Sequence, residues 1–159
     1  MKLGITGHQS FENVEWVKGT LNTELDRLQP ERGFSSLAIG ADQLFAKLLA
    51  QRAIPSTAII PSAHYEDTFT QAVDRAAFDE LLSAAAQQIQ LHNSSPSEQA
   101  FFDAGTHVVN SSDAIIAVWN GKPAKGLGGT ADMVAYATSL AKPVIHLNPD
   151  TKKVEYYGE

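Results

Sequence analysis

Apolar residues recur along this chain in two rhythms that alternate from end to end. Runs of five or six residues at Lys2 to Thr6, Ser36 to Gly40, Ser56 to Pro61, Gln87 to Leu91, Ala114 to Val118 and Pro143 to Leu147 are bounded by Gly, Pro or polar clusters. They read as six strands. Between them, apolar positions fall three and four apart. Val14, Val17, Leu21, Leu25 and Leu28 form one helical stripe, stopped near Pro30 and Gly33, and Ala41, Leu44, Phe45, Leu48 and Leu49 form another in full i, i+3, i+4, i+7, i+8 register. A third helix is predicted from about Thr70 to Ala86. A fourth, capped by Ser97, carries Phe101, Ala104, Gly105, Val108 and Val109 on one face. Phe102 lies about 100° off that face, which predicts an exposed ring and makes a symmetric homodimer a way to bury it. The tail from Asp150 to Glu159 is polar and expected to be peripheral.

Strands alternating with helices, nearly all apolar along their length, imply an α/β fold: a three-layer, Rossmann-like, doubly wound parallel sheet, one domain over residues 1–159. Right-handed crossovers and two βαβαβ halves give the strand order 3-2-1-4-5-6, reversing between strands one and four. Ligands of such sheets bind outside the carboxyl ends of the strands at the reversal. That places Gly7 and His8, Asn93 and the loop after strand five around one crevice, with Gly40 and Asp42 beside them.

The loop after strand five is the strongest chemical signal. Gly126, Gly128 and Gly129 interrupt regular structure, and Thr130 is the expected N-cap of a helix carrying Ala131, Val134, Ala135 and Thr138. A glycine turn feeding a helix start offers backbone N–H groups and the positive end of the helix dipole to an anion, phosphate above all. The same glycines also serve a plain strand-to-helix reversal. His8 is a candidate phosphate partner on its loop. Asp42 caps its helix or accepts a ribose hydroxyl. Tyr65 and Trp119 could stack a base from opposite sides of the crevice, with partial core burial the alternative for each. Asp132, near a helix start, is accounted for by the dipole alone.

Composition narrows the options. With 159 residues and no cysteine, the chain can bury a core without staples and has neither disulfides nor thiolate chemistry. Its five histidines stand singly, with no spacing that favours a metal. No run approaches the roughly 18 apolar residues of a membrane span and no signal-like core opens the chain, so no membrane partner and a cytoplasmic location are expected. A net charge of −6, with twelve basic residues in no cluster, argues against a nucleic-acid surface but is compatible with a small-molecule nucleotide.

TGHQSF after strand one, GADQLFA after strand two, and SDAIIAVWNG, GGTADMVAYA and KPVIHL further on resemble the SLOG superfamily over about residues 2–148. That group of Rossmann-like nucleotide-binding domains includes the Lonely-guy phosphoribohydrolases and the DNA-processing protein A fold. The resemblance is to its small stand-alone branch. It implies that Gly128, Gly129 and Thr130 match the phosphate-binding end of the PGGxGTxxE motif. Lys125 stands in place of the proline, Leu127 replaces the second glycine, and Met133 occupies the position of the catalytic glutamate. Methionine has no proton to give and no charge to stabilise a cationic sugar. The expected function is therefore binding or sensing of a nucleotide or nucleotide derivative through the glycine loop, without catalysis. The alternative is an N-glycosidic-bond hydrolase or transferase acting on nucleotides. Binding of single-stranded DNA is set aside on charge.

Overall fold

β5 (Ala114–Val118) is buried at all five positions because it is an interior strand of a sheet with helices packed on both faces. The structure, a computed structural model, describes residues 1–123, 126–127 and 129–158. β1 (Lys2–Gly7) runs parallel to β5, with Leu3 opposite Ala114 and Gly7 opposite Val118. β2 (Arg32–Ser35), β3 (Ser56–Ile60) and β4 (Gln87–Gln90) add outward from β1, all parallel. On the other side, β6 (Val144–Asn148) is parallel to β5 and β7 (Lys153–Tyr157) is antiparallel to β6. The order is β4-β3-β2-β1-β5-β6-β7.

Alternate residues of the central strands serve opposite faces. On one face, Leu3, Ile5, Ile116 and Val118 meet the apolar stripes of α1 (Val14–Leu28) and α2 (Ala41–Gln51). On the other, Ile115 and Ala117 meet Val108 and Val109 of α4 (Glu98–Ser111) and Met133 and Val134 of α5 (Thr130–Ser139). α3 (Ala72–Ala84) lays Phe78 against Ala58, Ile60, Tyr65 and Phe69. Glycine sets how closely α4 can lie. A Cβ at Gly4 would stand 2.5 Å from Ser112 Oγ and 2.8 Å from Val108 Cγ1, and one at Gly105 would overlap Met133 Sδ. Among the described residues, no helix is long and apolar enough to cross a membrane.

The expected class is present, but four expectations change. The strand after β3 lies at the sheet edge instead of between strands one and five, so the direction reverses between β1 and β5. Its sequence, Gln-Gln-Ile-Gln with three exposed glutamines, suits an edge. The second strand is Arg32–Ser35, ahead of the expected Ser36 to Gly40. Ser35 Oγ bonds the Leu37 amide at 3.0 Å, and Leu37 turns to φ 57°, so residues 36–40 form a loop. The polar tail supplies β7, held where Tyr157 OH meets His146 Nδ1 at 2.6 Å. Phe102 is half-buried against the second core cluster, while Phe101 is 38% exposed. The dimer expectation loses the exposed Phe102 on which it stood.

Candidate functional site

With the reversal between β1 and β5, the loops after β1, β2 and β3 and the first turns of α4 and α5 enclose a cleft of about 670 Å³. Gly7 and His8 contribute from β1, and Ser36, Ala38 and Asp42 follow β2. Pro61, Tyr65 and Phe69 come from the segment after β3, where Tyr65–Thr68 forms a single 3-10 turn. Glu98 and Phe101 stand on α4, and Gly129, Thr130 and Met133 approach from α5.

The aromatic wall is built of rings in mutual contact. Tyr65 meets Phe69, Phe78 and Phe101 edge-on, with ring centroids 5.4, 5.6 and 6.2 Å away, and Phe69 stacks on Phe78 at 4.6 Å. Such offset and edge geometries suit the ring quadrupoles. Tyr65, Phe69 and Phe78 are buried, which leaves Phe101 to present an open face. Leu127, 44% exposed, also borders the cleft, so two large apolar side chains are left to water around one hollow.

Asp42 lies in the cleft wall at the first turn of α2, buried. Burial pushes its carboxyl up to about 7 and outweighs the nearby Ala38 and Ser36 backbone, which favours the charged form. Burial, and then the charge of Asp42, raise the Tyr65 phenol well beyond its ordinary range. The turn around Asp42 requires glycine at position 40, where φ is 87° and a Cβ would stand 2.5 and 2.6 Å from the carbonyl oxygens of Gln9 and His8. His8 Nε2 accepts from the Asn120 amide at 3.1 Å, so that nitrogen carries no proton and is already engaged.

Of the residues singled out in the sequence, Gly7, His8, Asp42, Tyr65, Gly129 and Thr130 border this cleft. Gly7 also serves packing, since a Cβ there would overlap that of Ala41. Gly40 supports the wall from behind. Gly128 lies outside the described residues. Asn93 is elsewhere because β4 is at the edge: its side chain donates to Pro61 O at 3.0 Å and to Asp103 Oδ2 at 3.3 Å, in a separate hollow of about 350 Å³ with His92 and His107. Trp119 is turned away, its indole N–H donating to Lys122 O at 2.9 Å and its ring 4.9 Å from His146. The opposed pair Tyr65 and Trp119 is therefore not formed. Glu98, Phe69 and Phe101 were missed. Phe101 sits at one edge of the α4 stripe, and that position was the available signal for a ring facing a neighbouring opening.

The glycine loop does not form the expected phosphate cradle among the described residues. A Cβ on Gly126 would stand 2.8 Å from Glu98 Oε1, so this part of the loop faces a carboxylate. Gly129 is the N-cap, with φ −70° and ψ 171°, and Thr130 is already helical. The described lining holds two carboxylates, Asp42 and Glu98, and neither Lys nor Arg. At the start of α2 the amides of Ala41 and Gln43 are spent on His8 O and Ala38 O. Phosphate entering such a hollow would meet like charge with little compensation. Outside the cleft, His64, Glu66 and Asp67 bring donor atoms within 4.8 Å of one another on the 3-10 turn, with Arg75 Nη1 3.9 Å from Asp67 as an adjacent cation.

No protein-family model and no curated protein sequence matches the chain. Solved structures do. DNA processing protein A from Streptococcus pneumoniae is similar with a TM-score of 0.62 and 16% identity, over 92% of this chain and 50% of that one. DNA processing protein A from Helicobacter pylori, described for its unique single-stranded DNA binding mode, is similar with a TM-score of 0.65 and 19% identity, over 93% of this chain and 65% of that one. The chain thus spans between half and about two thirds of the length of these proteins. Two expectations are corrected. Net charge does not set nucleic acid aside, since the chain shares its fold with a protein that is described as binding single-stranded DNA. Whole-molecule charge averages over a surface and does not decide what one uncharged, aromatic wall contacts. The reading as a receptor for a small nucleotide through a glycine phosphate loop falls with the same comparison and with the Glu98 carboxylate facing that loop.

Proposed function

We infer, for a chain with the Rossmann-like fold of the SLOG and DNA-processing-protein-A group, that it binds single-stranded DNA by taking a base into the cleft beside Tyr65 and Phe101. The observation that carries this reading is the exposure of Phe101 and Leu127 around one hollow. A base is flat and apolar on its faces, and stacking against an aromatic ring is worth about 1–3 kcal/mol. The carboxylates of Asp42 and Glu98 in the lining disfavour a phosphate inside the hollow, so the base enters and its phosphates stay in solvent. Duplex DNA keeps its bases stacked and paired and offers nothing to the cleft.

This mode has a distinctive salt dependence. Binding that neutralises Z phosphates of a single strand weakens with salt at a log–log slope of about −0.7Z. A base taken into a cleft whose described lining has carboxylates and no Lys or Arg brings few phosphates into contact. Fluorescence anisotropy with a labelled 15-mer should show binding of the single strand, none of its duplex, and a slope shallower than about −1. Equal binding of duplex and single strand, or a steep slope, would show that the backbone is being read and that the base-in-cleft reading is wrong.

A further inference from the structure

We propose that Asp42 makes this cleft selective for guanine, a reading that rests on the entry of a base into it. Every charged group that the described lining offers is an acceptor: the carboxylates of Asp42 and Glu98. Asp42 lies buried in the wall at the start of α2, with the Ala38 and Ser36 backbone favouring its charged form. An ionised carboxylate has about four lone-pair sites, enough to accept two hydrogen bonds from one edge of a base. Guanine presents two adjacent donors, N1–H and N2–H, and two parallel hydrogen bonds to one carboxylate match them as a fork. Cytosine and adenine each place an acceptor beside their amino group. Thymine has a single N3–H between two carbonyl oxygens, both of which face the carboxylate unfavourably. A good bidentate pair discriminates by about tenfold or more.

The pairing needs the carboxylate charged. Burial raises the Asp42 carboxyl to about 7, so guanine preference should grow between pH 6 and pH 8. The titratable groups that border the cleft with it are His8 from the loop after β1, Tyr65 from the 3-10 turn and Glu98 from α4. All three remain in an Asp42→Asn variant, whose response therefore isolates Asp42.

The test is the affinity of a dT 12-mer and of the same strand carrying one central dG, dC or dA, for wild type and Asp42→Asn at pH 6 and pH 8. The expected result is a dG strand bound about tenfold more tightly than all-dT by wild type at pH 8, less so at pH 6, with the ratio collapsing toward one in Asp42→Asn. If all strands bind wild type alike, or the variant keeps the guanine preference, the assignment to Asp42 is overturned while the cleft reading stands. Failure of every strand to bind wild type would sink both.

Discussion

Replacing Asp42 with asparagine should change how the stability of the fold responds to pH by about 4 kcal/mol. In the native protein the carboxyl titrates near 7, against an ordinary value of 3.8. Between those values the folded state holds a proton that the unfolded chain has released. Stability from this group is therefore complete below about pH 4 and is lost progressively as pH rises toward 7, then stays constant. Each unit of difference corresponds to about 1.4 kcal/mol, which over this window gives the stated size. Asparagine does not titrate, so the variant gains on wild type as pH rises. Urea unfolding of both proteins at pH 4.5, 6 and 8, extrapolated to water, reads the difference directly. Parallel pH profiles would mean that Asp42 is not buried as described.

The second large effect concerns binding. Phe101→Ala should weaken single-stranded DNA by roughly 10- to 100-fold, the loss of one stacked base at about 1–3 kcal/mol. Phe101 is 38% exposed, so the fold should lose little. Phe102→Ala is the matched comparison on the same helix. Its ring packs against the core formed with Val108, Ile115 and Val134, so its removal should lower the melting temperature and leave DNA affinity unchanged. Anisotropy titrations beside thermal melts of the two variants decide this. Reversed outcomes would place the functional face of α4 on its other side.

The helices were legible where burial is one-sided. The stripe of α2 falls on Ala41, Phe45, Leu48 and Leu49, all buried, because one helix face alone meets the sheet. β5 was legible because a doubly covered strand has to be apolar throughout. Apolar content misled at Ser36 to Gly40, where Leu37 and Ile39 belong to a loop packed on α3's cluster and the ladder bonds fall four residues earlier. Strand order was not recoverable from apolar runs alone, yet the glutamines of β4 were a sign of an edge. That single misplacement carried Asn93 into the expected site and left out Glu98 and Phe101, which reach the cleft because α4 crosses behind the sheet to β5. Gly7, His8 and Asp42 border the cleft because the fold class alone puts the loops after β1 and β2 at the carboxyl edge.

The most direct measurement is a two-dimensional NMR titration of the isotopically labelled protein with a mixed-sequence single-stranded hexanucleotide. Aromatic and amide signals of Tyr65, Phe69, Phe101, Gly105 and Leu127 should shift together with one binding isotherm, since all five border the same hollow. Signals of β7 and of Asn93 and Trp119, which lie away from it, should stay in place. Shifts gathered on those outlying residues, with the aromatic wall unmoved, would contradict the account.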